Sequence, residues 1–335
     1  MTPTIKDVAK KANVSIATVS RILNNKPGFT PETKLKVLKV IEEIGYQPNG
    51  MARGLINKKT QTIGVIFPNV SNMYSAEVLS GIEDAAHEDG SSVIVCKTDS
   101  SMERTMKYLR VLAEKRVDGI VFASEMIKEP FYKFMQDVKI PVVLLSSISY
   151  QYPIPYVKVD DRHAAYTATI YLIEQGHKKI AMICGDRNDL IAGIPRVEGY
   201  KEALQHSGIS VIEDYIINAN GFAYHNGQEA MDEILVKKLD VTAIFASSDE
   251  MALGVLTTAH QKGIKIPDDF SVMGYDDLKL AQMSIPQLTT VAQPLYNMGK
   301  SAASMLFEMI ATGEQVQSRI MPHSIIKRDS VKERL

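Results

Sequence analysis

Residues 4–25 read TIKDVAKKANVSIATVSRILNN, and residues 41–55 read IEEIGYQPNGMARGL. In the first string, Thr4 and Ser15 are residues that begin helices, and apolar residues follow each of them at helical spacing. Asp7 lies three residues after Thr4 and can complete a capping box. Asn13 and Val14 interrupt the pattern, so the string predicts two short helices joined by a tight turn.

A third helix is predicted to begin with Thr30 as its cap and Pro31 at its first position, and to end at Gly45. Its buried stripe is predicted to consist of Leu35, Leu38, Ile41 and Ile44. Two short helices braced by a third are typical of a helix-turn-helix DNA-binding unit, although a generic three-helix domain has the same caps.

The exposed side of the second helix favours DNA binding. Ala17 and Thr18 are small enough for close approach to base edges, and Arg21 can donate two hydrogen bonds to a guanine. Ile16 can contact a thymine methyl group. The predicted phosphate contacts are Thr4, Ser15, Ser20, Asn25 and Thr30.

The charge of the chain is divided between its two parts. Residues 1–60 contain eleven Lys or Arg and four Asp or Glu, a net charge of +7, whereas the remainder carries −8. A basic segment attached to an acidic body is typical of a polyanion-binding module, and a merely solvated basic face gives the same charge.

From residue 62 onward, short apolar runs alternate with helix-length amphipathic segments. The predicted strands are TIGVIFP, SVIVCK, GIVFAS, PVVLLS, YVKVD, KIAMICG, TAIFASS, FSVMGYD and LTTVAQP. Continuous apolar strands separated by helices indicate parallel sheet covered on both faces. Nine strands, with the pattern restarting near residue 160, predict two lobes with a ligand cleft at the carboxyl ends of the strands.

Length and composition exclude several classes. A chain of 335 residues has room for about two domains, and 45% hydrophobic with 23% charged residues is ordinary globular composition. Two cysteines, Cys96 and Cys184, cannot form a disulfide framework. With neither a secretory signal nor a membrane-length apolar run, we expect a cytoplasmic protein with no membrane partner.

The two opening strings resemble the headpiece of the LacI/GalR family of bacterial transcription regulators, particularly the catabolite control protein A branch and its sugar-specific relatives. The core strings GHKKIA, RVEGY, SSDEMALGVL and GYDD extend the resemblance over the full chain. The resemblance implies an all-α helix-turn-helix headpiece and an α/β two-lobed, periplasmic-binding-protein-like core of two doubly wound parallel sheets.

The resemblance also implies domain boundaries and three crossings between the lobes. The headpiece would span 1–48, the hinge helix or linker 49–60 and the effector-binding and dimerisation core 61–335. The N-lobe would comprise about 61–160 and 293–321, and the C-lobe 161–292 and 322–335. The crossings would fall near 160–162, 291–293 and 321–323.

In the hinge, Asn49 can cap a short helix, which Gly50 and Gly54 weaken. The family implies that paired hinges fold against each other on the operator, where Leu55 is a wedge in the minor groove. The other DNA-binding residues that it implies here are Tyr46, Met51, Ala52 and Arg53.

Polar residues at strand ends are candidates for the effector site: Asn69, Asp160, Arg196, Asp249, Asp276 and Gln293. The resemblance adds the aromatic residues Tyr74 and Phe222, and it matches Arg196, Asp249 and Asp276 to family effector contacts. Helix capping by Asp249 and a turn role for Asp276 are the structural alternatives. No metal site and no cofactor are predicted, only a small effector that we expect to be a sugar.

One departure concerns the helix in QPLYNMGKSAASMLFEMI, residues 293–310. The resembling branch docks a phosphorylated phosphocarrier protein on basic residues there, whereas this chain has Ser304 and Glu308, and Lys300 is its only basic residue. An acid repels a phosphoserine, so control by a phosphocarrier protein is not expected and stays the alternative.

An enzyme is not predicted, because catalytic motifs are absent from the sequence and its seven histidines are scattered. Asp249 and Asp276 could be imagined as a glycosidase pair, and the core alone would fit an exported sugar receptor. Neither explains the basic headpiece. We therefore expect a homodimeric, sugar-responsive repressor that binds a pseudo-palindromic double-stranded operator.

Overall fold

The computed structural model describes residues 3–23, 26–46 and 59–334. The chain divides into two compact units, Met1–Gln61 and Thr62–Leu335. The smaller unit contains helices, and the larger contains two sheets covered by helices.

The described residues of the smaller unit form three helices: α1 (Ile5–Ala12), α2 (Ile16–Leu23) and α3 (Pro31–Ile44). The Asp7 carboxylate accepts hydrogen bonds from the backbone N–H of Thr4 at 2.8 Å and from its hydroxyl at 2.7 Å. These bonds lower the pKa of Asp7. Thr30 caps α3 by accepting a hydrogen bond from the Thr33 N–H at 3.2 Å, so the predicted starts of α1 and α3 are confirmed.

The core of this unit contains a different face of α3 from the one predicted. Val37 and Val40 are buried, whereas Leu35 is 70% and Leu38 43% exposed. The predicted stripe is therefore wrong in its first half. The residues facing the core follow the 37, 40, 41, 44 series, which lies along one side of a 3.6-residue helix, and Leu35 and Leu38 lie off that line.

Two six-stranded sheets form the larger unit, and each is a twisted α/β sheet. The first has the order β11-β5-β4-β3-β1-β2, with all strands parallel. Its strands are β1 (Thr62–Phe67), β2 (Ser92–Lys97), β3 (Gly119–Ala123), β4 (Val142–Leu145), β5 (Tyr156–Val159) and β11 (Arg319–Met321).

The second sheet has the order β12-β10-β9-β8-β6-β7, and β12 alone runs antiparallel to its neighbour. Its strands are β6 (Ile180–Cys184), β7 (Ile216–Asn218), β8 (Ala243–Ala246), β9 (Ser271–Asp276), β10 (Thr289–Ala292) and β12 (Ser324–Ile326). All nine predicted strands are present, and the two-lobed α/β fold class is confirmed.

The remaining helices cover the sheets. They are α4 (Met73–Asp89), α5 (Met102–Glu114), α6 (Glu129–Asp137), α7 (Asp161–Glu174), α8 (Gly193–His206), α9 (Tyr224–Val236), α10 (Asp249–Gln261), α11 (Lys279–Met283) and α12 (Leu295–Thr312). A short 3₁₀ turn spans Glu213–Tyr215.

Close helix packing depends on small residues where α4 crosses α12. A Cβ atom at Gly81 would lie 2.0 Å from the carbonyl oxygen of Tyr296, and one at Gly299 would lie 2.0 Å from that of Val78. The two backbones therefore touch at these glycines. This contact attaches α12, which follows β10 of the second sheet, to the lobe of the first sheet.

Candidate functional site

The exposed face of α2 presents the residues predicted to contact bases. Ile16 is 45% exposed, and Ala17 and Arg21 are exposed. Val19 and Ile22, on the opposite face, are buried in the core of the headpiece. This division leaves the face that is predicted to contact bases outside the core of the headpiece.

Several polar residues around α2 are held in place by the fold. Ser15 accepts a hydrogen bond from the N–H of Thr18 at 3.0 Å, and their hydroxyl groups lie 2.9 Å apart. Gly28 has a φ of +112°, and a Cβ there would lie 3.3 Å from a guanidinium nitrogen of Arg21. The loop before α3 therefore passes directly beside the Arg21 side chain.

The remaining DNA-binding predictions divide into two groups. Thr4 and Thr30 are exposed at helix starts, Ser20 is half-buried, and Tyr46 packs partly against the headpiece core. The others lie outside the described residues and stay predictions: Asn25, Asn49, Met51, Ala52, Arg53 and Leu55.

A cavity of about 530 Å³ lies between the two lobes of the core. The carboxyl ends of the strands of both sheets open onto it, which is where open α/β sheets place ligand sites. Six of the predicted effector residues line it: Asn69, Tyr74, Arg196, Phe222, Asp276 and Gln293.

The charged centre of this cavity is an ion-pair network around Asp161. Arg196 donates from Nε and Nη2 to one Asp161 oxygen at 2.9 and 2.8 Å. The Lys158 ammonium lies 3.0 Å from the other oxygen. All three side chains are buried, so water screens the attraction between these charges little.

Two aromatic rings enclose the Arg196 guanidinium. Its Cζ lies 3.6 Å from the centroid of the Tyr275 ring and 5.8 Å from that of Phe222. Phe222 can lie over the end of β6 because residue 185 is glycine, where a Cβ would approach the ring to 2.4 Å. Such a ring can cover the apolar face of a ligand beside a planar cation.

Asp276 ends β9 with a backbone φ of +119°, a strained conformation for a residue with a side chain. Gln293 donates a hydrogen bond to its carboxylate at 2.7 Å. Burial raises the pKa of Asp276 to about 7, although Arg196 and Gln293 oppose this rise. Asp276 is thus a hydrogen-bond acceptor whose charge changes near neutral pH.

Asp249 does not line the cavity, which corrects its prediction as an effector contact. It is fully buried, with one oxygen accepting from the Leu278 N–H at 2.7 Å and the other from the Thr290 hydroxyl at 2.5 Å. Burial, and then the nearby Asp276, raise the pKa of Asp249. Its chemistry is to fix the loop after β9 and not to contact a ligand.

Asp160 is also absent from the cavity wall, which corrects its prediction as an effector contact. Like Asp249, it uses its carboxylate to accept hydrogen bonds within the fold. Its carboxylate caps α7 by accepting from the His163 N–H at 3.1 Å, and the residue is exposed. Asp161, the next residue, is the one that lies in the cavity wall. Successive residues of a helix point about 100° apart. A shift of one position along the chain therefore decides whether the carboxylate of residue 160 or that of residue 161 faces the cavity.

Tyr74, on the wall formed by the first lobe, donates a hydrogen bond to the Ser146 hydroxyl. Burial raises the pKa of Tyr74 to about 12. Tyr74 is therefore a neutral donor and apolar surface at any physiological pH.

Sequence reasoning missed several charged residues of this cavity: Glu125, Lys158, Asp161, Asp186, Asp189 and Glu250. Glu125 lies two residues after β3, which ends at Ala123, just as the predicted residue Asn69 lies two residues after β1. That position at the carboxyl end of a strand was the available signal. Asp186, two residues after β6, carries the same signal. For Lys158 within β5, and for Asp161, Asp189 and Glu250, the tertiary structure decides whether the side chain faces the cavity.

A basic helix-turn-helix headpiece joined in one chain to a two-lobed core with an interlobe cavity defines a class of DNA-binding transcription regulators. Comparison with known proteins agrees. Residues 4–49 match the model of bacterial regulatory proteins of the lacI family. Residues 60–329 match the model of periplasmic binding proteins and the sugar binding domain of the LacI family. The chain belongs to the LacI family, which confirms the resemblance.

Individual relatives place the chain among transcription regulators. It is 41% identical over 99% of its length to catabolite control protein A of Priestia megaterium, all of whose length is covered. It is 35% identical over 98% of its length to the ribose operon repressor of Halalkalibacterium halodurans, 97% of which is covered. The structure of the lac repressor dimer bound to operator and the anti-inducer ONPF matches 99% of the chain and all of its own, with 25% identity and a TM-score of 0.89.

These relatives are regulators, so the chain is a DNA-binding transcription regulator and not an enzyme, as predicted. The glycosidase reading of Asp249 and Asp276 also fails on geometry, because Asp249 is fully buried below the cavity wall. Within the described residues, no helix combines the length and apolar character needed to cross a membrane.

Proposed function

We propose that this protein is a homodimeric repressor of carbohydrate-utilisation genes, whose affinity for its operator depends on a small sugar or sugar derivative in the cavity. The main support for this proposal is the composition of the cavity wall. It joins hydrogen-bonding groups from both lobes to the rings of Tyr74 and Phe222. A sugar offers hydroxyl groups to the former and C–H faces to the latter.

A ligand held by both lobes favours whichever lobe arrangement gives it more contacts. It changes operator affinity only by its preference between two such arrangements. On the DNA, one α2 helix of each subunit would read a half-site of a pseudo-palindrome, with Arg21 on a guanine. The paired Leu55 residues would open the central base step.

A second candidate is regulation by a phosphorylated phosphocarrier protein, which the 41% identity to catabolite control protein A favours. The charges of α12 argue against it. Lys300 lies 2.7 Å from the Glu88 carboxylate, and Ser304 and Glu308 are exposed further along the helix. A phosphoserine needs several Arg-type donors. The described residues of α12 include no arginine, and Arg319 donates to the Ser301 hydroxyl of this helix at 3.0 Å.

The test is selection of double-stranded sequences from a random pool by the purified full-length chain, with and without a panel of neutral sugars. We expect enrichment of a pseudo-palindrome and a change in its affinity with one sugar. Failure to enrich any sequence would overturn the DNA-binding half of the proposal. An enriched operator that responds only to a serine-phosphorylated phosphocarrier would favour the second candidate.

A further inference from the structure

Glu125 is a buried carboxylate in the cavity wall whose hydrogen bonding is incomplete. It is 7% exposed and follows β3, opposite the lobe that carries Arg196. Its Oε2 accepts from the Thr98 hydroxyl at 3.3 Å. Its Oε1 is fully buried and has no hydrogen-bond partner among the described residues.

The backbone around Glu125 is fixed, so its side chain is held at the wall. The Ser147 hydroxyl donates to the Glu125 carbonyl oxygen at 2.8 Å, tying the end of β3 to the residue after β4. Burial raises the pKa of Glu125, and the charge of Lys128 and the Thr98 hydrogen bond only partly oppose it. A buried acceptor without a donor costs free energy, so a native protein keeps such a group for a reason, such as a role in the site that it lines.

The cations of the cavity are already compensated. Arg196 donates to Asp161 and, through Nη1, to the Ser247 carbonyl oxygen at 2.5 Å. Lys158 lies against Asp161 and donates to the Ile191 carbonyl oxygen at 3.3 Å. The described residues of the wall include only these two cations, against six carboxylates: Glu125, Asp161, Asp186, Asp189, Glu250 and Asp276.

This charge balance determines which ligands the cavity admits. A phosphate or carboxylate group would enter a wall with excess negative charge, and each cation would have to leave Asp161 to meet it. A hydroxyl or ammonium group, by contrast, supplies a donor to the Glu125 carboxylate once the side chain turns its buried Oε1 toward the cavity.

We propose that Glu125 is a specificity-determining residue that accepts a hydrogen bond from a hydroxyl or amino group of the effector. The effector is then a sugar without a phosphate or other anionic group. This inference rests on the proposed function in taking the effector to be a sugar. It adds the chemical class of that sugar and the residue that selects it.

The first test needs no ligand. In the full-length, ligand-free protein, Glu125→Gln keeps the shape of the side chain and removes its buried charge, so we expect its melting temperature at pH 8 to equal or exceed the wild-type value. The matched control is Glu229→Gln on α9, where Glu229 is exposed. A melting temperature several degrees below wild type would mean that Glu125 is a structural group, and would overturn the proposal.

The second test is calorimetric titration of the full-length protein with named probes: glucose, ribose, cellobiose, glucosamine, glucose 6-phosphate and ribose 5-phosphate. We expect each phosphate to bind at least ten-fold more weakly than its parent sugar. Glu125→Gln should weaken the tightest probe about ten-fold, whereas Glu229→Gln should leave its affinity unchanged.

The outcomes separate this inference from the proposed function. Tighter binding of a sugar phosphate than of its parent, or unchanged affinity in Glu125→Gln, overturns the inference while a sugar effector stands. If none of the probes binds the wild-type protein, the sugar effector fails. The inference, which rests on that effector, then fails with it, and the ligand-free comparison of Glu125→Gln with Glu229→Gln shows only whether Glu125 is a structural group.

Discussion

The guanidinium of Arg196 donates two hydrogen bonds to a single carboxylate oxygen of Asp161, at 2.8 and 2.9 Å, across the interlobe cavity wall. Asp161 begins α7, the first element after β5 of the first sheet, and Arg196 lies on α8 beside the second sheet. The pair therefore fixes the start of the second lobe and positions the guanidinium in the cavity wall.

We expect Arg196→Ala to abolish the effector response while leaving operator affinity unchanged, because the headpiece is a separate unit. Removing one partner of a buried pair leaves an uncompensated charge and costs about 3–5 kcal/mol of unfolding free energy. Chemical denaturation and operator titration check this prediction. The control is Arg162→Ala, whose guanidinium is largely exposed in its pair with Glu202. Unchanged ligand affinity in Arg196→Ala would place the pocket elsewhere.

Asp276 gives the protein a pH dependence of stability. Its pKa is about 7 in the folded protein against 3.8 unfolded, so the folded state binds the extra proton between these values. The contribution of Asp276 to the free energy of unfolding is therefore greatest near pH 4 and falls as the pH rises to about 7.

Asp276→Asn should remove this contribution, which is at most about 4 kcal/mol, since one pKa unit corresponds to about 1.4 kcal/mol. Melting temperatures between pH 4 and 8 measure it, and the exposed Asp137→Asn is the control. An equally steep decline in Asp276→Asn and wild type would show that this carboxylate is not the titrating group.

Asp249 is predicted to act on loop geometry. Asp249→Ala leaves the Leu278 N–H and the Thr290 hydroxyl without acceptors, which costs about 2–4 kcal/mol of unfolding free energy. Asp249→Asn should cost less, because its amide oxygen can still accept one of these bonds. Urea unfolding of the two variants compares them. Equal destabilisation by both would mean that the negative charge, and not the hydrogen bonding, is what matters.

Arg21→Ala should relax discrimination at one base pair by about 1–3 kcal/mol, because a bidentate guanine contact is lost. Binding titrations against an operator and its single-base variants check this. Lys36→Ala, at an exposed position on α3, is the control and should weaken all sequences alike. Uniform loss on every sequence in Arg21→Ala would reassign Arg21 to a phosphate.

Operator affinity should depend strongly on salt. The net charge of +7 in residues 1–60 predicts about 6–10 phosphate contacts for a dimer, with log K falling by about 0.9 per contact for each tenfold rise in salt. Titrations between about 50 and 200 mM salt measure the slope. A flat response would remove the electrostatic account of binding.

Local signals sufficed for most of the fold. Capping residues fixed the starts of α1 and α3, and runs of buried apolar residues fixed nine strands. The three strands that escaped prediction, β7, β11 and β12, are three residues long, too short for a periodic signal to stand out. The stripe of α3 was assigned to Leu35 and Leu38 because hydrophobicity alone does not say which apolar residues a helix turns toward its neighbours.

For the site, too, some features follow from the sequence and others only from the tertiary structure. The amino-acid sequence by itself determined a small helical headpiece followed by a two-lobed core, because caps and strand runs are local properties. The exposed residues of α2 and the resemblance to a known family then favoured DNA binding over a generic three-helix domain. Only the tertiary structure decided that Asp161 and not Asp160 meets Arg196, that Asp249 lies below the wall, and that Glu125 lacks a donor. Those facts depend on which side chains from distant strands and helices meet at one cavity, and a linear pattern does not contain that distance information.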